Sequence, residues 1–167
     1  TMDGTHHVIP DRWDMIIAHP PCTYLTTASN HWYSLRVTLA EKVVARYQEK
    51  EKAIVFFLRC YFADCPKVVV ENPQGSMNTI FRKPDQVIHP YFFVKDESDK
   101  ENYVQKKTCL WLRNVSPLQR INFLPKPSPK YICKGEKSYG KAIGWCEGMS
   151  GVKDRAKARS KTFPGIA

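Results

Sequence analysis

A short apolar run that ends in two prolines and a cysteine sets the frame for this chain: Trp13-Asp14-Met15-Ile16-Ile17-Ala18-His19-Pro20-Pro21-Cys22. Asp14 to Ala18 has the length and composition of a strand covered on both faces of a sheet. Pro20 and Pro21 have no N–H to give to a ladder, so the strand is predicted to stop near His19. Cys22 follows at once, with the hydroxyls of Thr23, Tyr24 and Thr26 behind it. Ligands of open α/β sheets bind just beyond the carboxyl ends of the strands, which puts Cys22 where a nucleophile would stand. The plainer reading of a cysteine beside a strand is a small buried hydrophobe. The double proline stiffens the turn and argues for use of that geometry.

A helical pattern follows from about Leu39 to Ala63. Leu39, Val43, Val44, Tyr47, Ile54, Phe57, Leu58 and Tyr61 recur at helical spacing, and Thr38 with Glu41 has the form of a capping box. The charged run Glu49-Lys50-Glu51-Lys52 allows one long helix or two with a break near residue 50. Its aromatic residues are read as core. Val68-Val69-Val70 is a second strand that ends in the polar burst Glu71-Asn72-Pro73-Gln74-Gly75. Strand, helix, strand is a βαβ unit with parallel strands, which brings the Cys22 turn and Glu71 to one edge of the sheet. Residues 23–38, with His31, Trp32 and Tyr33, are a loop suited to holding a substrate or to packing on the core.

Gln86 to His89, stopped by Pro90, reads as a third strand, and Thr108-Cys109-Leu110-Trp111-Leu112 as a fourth. Residues 95–107 are charged and expected to be exposed. The remainder, about 117–167, is proline-rich and then basic, with Lys153, Arg155, Lys157, Arg159 and Lys161 in alternation with small residues. These basic residues are a candidate phosphate-contacting surface or a solvated segment. The net charge of +10 over 167 residues favours a polyanionic partner, nucleic acid first and an anionic membrane surface second. The length suits a single domain, 1–167. No apolar run is long enough to cross a bilayer. The six cysteines have no CxxC spacing, which points to reduced thiols and a cytosolic setting. A structural zinc on Cys133, Cys146 and a histidine is the weaker alternative to no metal at all.

Several of these segments resemble a known family. Pro20-Pro21-Cys22 after a strand resembles the Pro-Cys motif of DNA cytosine-5 methyltransferases, and Glu71-Asn72 after the next strand resembles their Glu-Asn motif. Gln105-Lys106-Lys107 more weakly resembles their Gln-x-Arg-x-Arg motif. The stretches from His19 to Thr26, Glu71-Asn72-Pro73, Arg82-Lys83-Pro84-Asp85-Gln86, Thr108 to Leu112 and Arg159 to Ala167 together resemble small phage and prophage cytosine methyltransferase-like proteins over nearly the whole chain.

The resemblance implies a three-layer, Rossmann-like α/β methyltransferase fold with a mostly parallel sheet, in a form that is either incomplete at its N-terminal part or a shortened variant. It implies methyl transfer from S-adenosylmethionine to cytosine C5 of DNA, no metal, and a bacterial cytoplasm as setting. By the same resemblance Cys22 is the thiolate that adds to cytosine C6 and Glu71 binds the N3 and amine edge of the ring. Asn72 holds the turn, and Pro21, Thr23 and Lys107 line the base. Base flipping would bring the cytosine to them. Lys107 stands where the family has its first arginine, and Cys109 replaces the second. No GxG occurs in the chain, whereas the family holds its methyl donor on a strand with a glycine-rich turn. Two other readings stay open: a DNA- or protein-binding module without transferase activity, and an enzyme that modifies free pyrimidine nucleotides.

Overall fold

The computed structural model describes residues 12–129 and the backbone of 131–132 and 142–143. The tail with Arg155, Lys157, Arg159 and Lys161 lies outside the described residues, as do Cys133 and Cys146.

Strand β1 (Met15–Ala18) leads through a 3-10 turn (Thr27–Tyr33) to helix α1 (Ala40–Tyr61), and α1 leads to β2 (Lys67–Pro73). A one-turn helix α2 (Met77–Ile80), β3 (Gln86–Ile88), a second 3-10 turn (Pro90–Phe92) and β4 (Thr108–Arg113) complete the main body. The four strands form one open sheet in the order β1-β2-β4-β3. β5 (Tyr131–Ile132) and β6 (Ala142–Ile143) pair antiparallel in a separate two-stranded ladder.

The fold is thus mixed α/β. The β1-α1-β2 unit has the parallel strands its sequence pattern requires. The expectation of a mostly parallel sheet is corrected: β4 runs antiparallel to both β2 and β3, so one of the three pairings within the four-stranded sheet is parallel. This arrangement follows from the connections. No helix separates β3 from β4, only a turn and a charged loop, and an antiparallel return needs no crossover.

Helix α1 is one unbroken element of 22 residues, because Glu49 to Lys52 are good helix formers and none of them is buried. Its N-cap is Leu39, without a side-chain cap, and not Thr38. The chain before it closes a turn in which Val37 and Thr38 both donate N–H to the Ser34 carbonyl. This leaves Thr38 one residue too early to cap, and its buried hydroxyl has no partner.

The helix-side core is built on Phe57, Tyr61, Leu25, Met77, Val68, Val70, Cys109 and Trp111. Phe57 and Trp111 are both fully buried and meet edge to face, with ring centroids 5.0 Å apart and planes at 86°, a geometry the ring quadrupoles favour. The opposite face of the sheet holds a smaller cluster of Val69, Ile88 and Leu110 under Phe92, Phe93 and Val115. Among the described residues a turn rather than a helix covers that face. β1 is half bare, contrary to the expectation of burial on both sides: Ile16 and Ala18 pack inward while Met15 is 40% and Ile17 61% exposed. It is an edge strand, and side chains of alternate residues point to opposite faces.

Candidate functional site

The parallel pairing of β1 with β2 runs in register from Met15 opposite Lys67 to Ala18 opposite Val70, so His19 emerges beside Glu71. β2 continues to Pro73, and Glu71 and Asn72 therefore stand inside the strand rather than in the polar turn expected beyond Val70. β4 allows this by pairing Leu110 with Glu71, Cys109 with Asn72 and Thr108 with Pro73. The carboxyl ends of β1, β2 and β3 and the start of β4 thus share one edge.

The loops that leave β1 and β2 are stitched together at that edge. Asn72 is buried, and its Nδ2 donates to the Pro20 carbonyl at 2.8 Å. The Cys22 carbonyl accepts the N–H groups of both Leu25 and Thr26 at 3.0 Å, which fixes a tight turn on the cysteine. Further on, Thr27 N–H donates to the Gln74 carbonyl and Ser76 N–H to the Leu25 carbonyl at 2.7 Å, while Thr26 and Gly75 form a bridge. Gly75 is required by this crossing. A Cβ there would lie 1.9 Å from the Leu25 carbonyl oxygen and 2.9 Å from the Thr26 Cα, and both are backbone atoms that cannot swing away.

Cys22 is a half-buried thiol on this turn, preceded by buried Pro20 and exposed Pro21 and followed by exposed Thr23. Beside the turn, His19 Nδ1 and Glu71 Oε2 are 3.1 Å apart. That contact raises the His19 pKa above its ordinary value, against partial burial and the charge of Lys106. A protonated His19 is therefore favoured next to the Glu71 carboxylate. Neither His19 nor Lys106 stands out in the sequence as a site residue. The signal for His19 was its place directly at the strand end; Lys106 stood in the Gln105-Lys106-Lys107 stretch only at its variable position.

The other named residues are placed as follows. The charge of Lys107 acts on Cys109 and on His89. Cys109 is fully buried, contacts Asn78 Nδ2 at 3.7 Å, and has its thiol pKa raised by burial. It is a packing residue and not a stand-in for an arginine. The loop after Cys22 packs on α1. Arg46 lies over the rings of Tyr24 and Tyr33 at 5.0 and 5.1 Å and reaches the Thr23 carbonyl at 3.4 Å. Tyr33 Oη donates to the Tyr24 carbonyl. Trp32 remains half exposed, against the ring of His31.

Among the described residues no three His, Cys, Asp or Glu side chains are grouped to hold a metal, and no helix is long and apolar enough to cross a membrane. Gly75 is the one glycine among residues 12–129, and it is committed to the loop crossing. The described residues therefore lack the glycine-rich turn that would fit a methyl donor in the manner the resemblance implies. The chain matches no family model, no curated protein and no solved structure.

Proposed function

We propose that this chain carries the base-attacking site of a DNA cytosine-5 methyltransferase-like protein, with Cys22 as nucleophile and Glu71 as the group that binds the ring. The observation that carries this reading is the stitching of the Cys22 turn to the Glu71-Asn72 strand end, through Asn72 to Pro20 and Glu71 to His19. A flipped cytosine at this edge would meet a thiol from one loop and a carboxyl from the next strand.

In the proposed step the Cys22 thiolate bonds to C6, the C5–C6 double bond opens, and its electrons move toward N3 and O2. Glu71 relays to N3, as charge builds there, the proton that its partner His19 holds, and so supplies the hydrogen bond to the ring. A solvent proton adds at C5. Loss of the original C5 hydrogen and departure of the thiolate then restore the ring. No step is assigned to S-adenosylmethionine, because the described residues include no glycine-rich turn to hold it.

The test is exchange of the cytosine C5 hydrogen with deuterated solvent, in a single-stranded oligonucleotide without any methyl donor. The wild type is expected to exchange it, and Cys22→Ser to abolish exchange. Glu71→Gln should slow it by about 10²-fold. Absence of exchange by the wild type overturns the reading. The lack of a glycine-rich turn among the described residues favours a second reading, a DNA- or protein-binding module, which predicts oligonucleotide binding without exchange.

A further inference from the structure

The same edge of the sheet continues past β2 to a second group of cations. The last pair of β3 with β4 is Ile88 with Thr108, so the next residues outward are His89 on one strand and Lys107 on the other. The turn Pro90–Phe92 then brings the rings of Tyr91 and Phe92 to 5.6 and 5.5 Å from that of His89. The segment around Arg120 is fastened across this turn. Ile121 N–H donates to the Phe92 carbonyl, and Asn122 Nδ2 donates to the carbonyls of Tyr91 and Val94. These bonds hold the Arg120 guanidinium 4.0 Å from the centre of the Phe92 ring.

Two buried polar atoms in this cluster have no hydrogen-bond partner among the described residues: His89 Nδ1 and Arg120 Nε. The charges of Lys126, Lys107 and Arg120 all act on His89 and, with burial, keep it neutral. None of the three cations joins an ion pair among the described residues. Concentrated positive charge with unsatisfied nitrogen positions is the complement of an oxyanion.

We propose that His89, Arg120, Lys107 and Lys126 form a phosphate-binding site, distinct from the Cys22–Glu71 site. Arg120 is held on Phe92, so its planar fork is ordered before the ligand arrives. Lys107 and Lys126, both exposed, add charge that already acts on His89. The site does not depend on the reading of Cys22 as a nucleophile. Its ligand chemistry is a phosphate oxyanion, supplied by a nucleic-acid backbone or by a free phosphate compound.

The test follows the His89 imidazole nitrogens by NMR in the full chain carrying Cys22→Ser, titrated with oligodeoxythymidine and, separately, with inorganic pyrophosphate. Without cytosine or thiol, the result is independent of base chemistry. A saturable shift of His89 is expected. Arg120→Gln should weaken binding about tenfold, the loss of one charge-assisted hydrogen bond. Lys126→Gln, on an exposed side chain, should weaken it several-fold with the amide spectrum unchanged. A response to the oligonucleotide, with a salt slope lowered by about 0.7 in Arg120→Gln, assigns the site to a backbone phosphate. A response to pyrophosphate alone assigns it to a free phosphate compound. No saturable His89 shift with either, or wild-type affinity in both variants, overturns the proposal.

Discussion

His19 and Asn72 do most to define the candidate site, and both act by reaching across from one strand end to the next. The His19 pKa is raised by Glu71, so the stabilisation from this pair is complete below the unfolded value near 6.5 and is lost as pH rises through the folded value. Both side chains are partly exposed, which holds the effect to about 0.5 kcal/mol. His19→Gln should therefore lower stability more at pH 5.5 than at pH 8.5, as read by urea denaturation at the two values. Asn72→Ala removes the donor to the Pro20 carbonyl and should cost about 2 kcal/mol, because a buried polar group then loses its partner. The same variant should slow C5-hydrogen exchange, since the turn bearing Cys22 is no longer tied to β2.

The elements show where a local pattern suffices and where it does not. α1 and β2 were legible from spacing and from the β-branched run. The start of α1 was not, because Ser34 rather than Thr38 closes the preceding turn. β1 was legible as a strand but not as an edge, since a short apolar run reads alike whether one face or both are covered. Ile17→Lys should change stability by less than about 0.5 kcal/mol, whereas Ile16→Ala, on the face toward α1, should cost about 2 kcal/mol; thermal unfolding of the two variants separates them. Gly75→Ala forces a methyl group into the Leu25 carbonyl. It should destabilise by about 3 kcal/mol, at the upper end for overpacking, and reduce amide-exchange protection at Thr27 and Ser76.

At the scale of the whole molecule, the two ends of the sheet are used differently. At the end away from Cys22, Arg82 makes a two-pronged contact with Asp85 at 2.9 and 2.7 Å. Asp85 accepts the Leu112 N–H, and the Arg82 carbonyl accepts Trp111 Nε1–H. The Arg82-Lys83-Pro84-Asp85-Gln86 stretch is therefore a latch on β4. At the Cys22 end, cations gather around His89, whose pKa is lowered to about 4 by burial first and then by Lys126, Lys107 and Arg120. A histidine whose folded value lies below its unfolded value destabilises the fold on protonation. Stability should thus fall as pH drops from about 6.5 toward 4, and His89→Phe should flatten that part of the profile in denaturant titrations. Phe57→Ala, at the centre of the helix-side core, should cost about 4 kcal/mol.

The sequence by itself determined the βαβ order, the stop of β1 at the double proline and the meeting of the Cys22 turn with Glu71 at one edge. Each follows from short-range rules: proline has no N–H for a ladder, and a helical crossover returns the chain parallel. Only the tertiary structure decided that β4 inserts between β2 and β3, that Glu71 and Asn72 stay within the strand, and that His19 is the partner of Glu71. It also decided that Cys109 is buried and that Arg120 lies on Phe92 beside His89. These depend on which strands pair and in what register, and pairing is set by the burial of Trp111 and its neighbours against a distant helix, a long-range packing term that no local stretch of sequence carries.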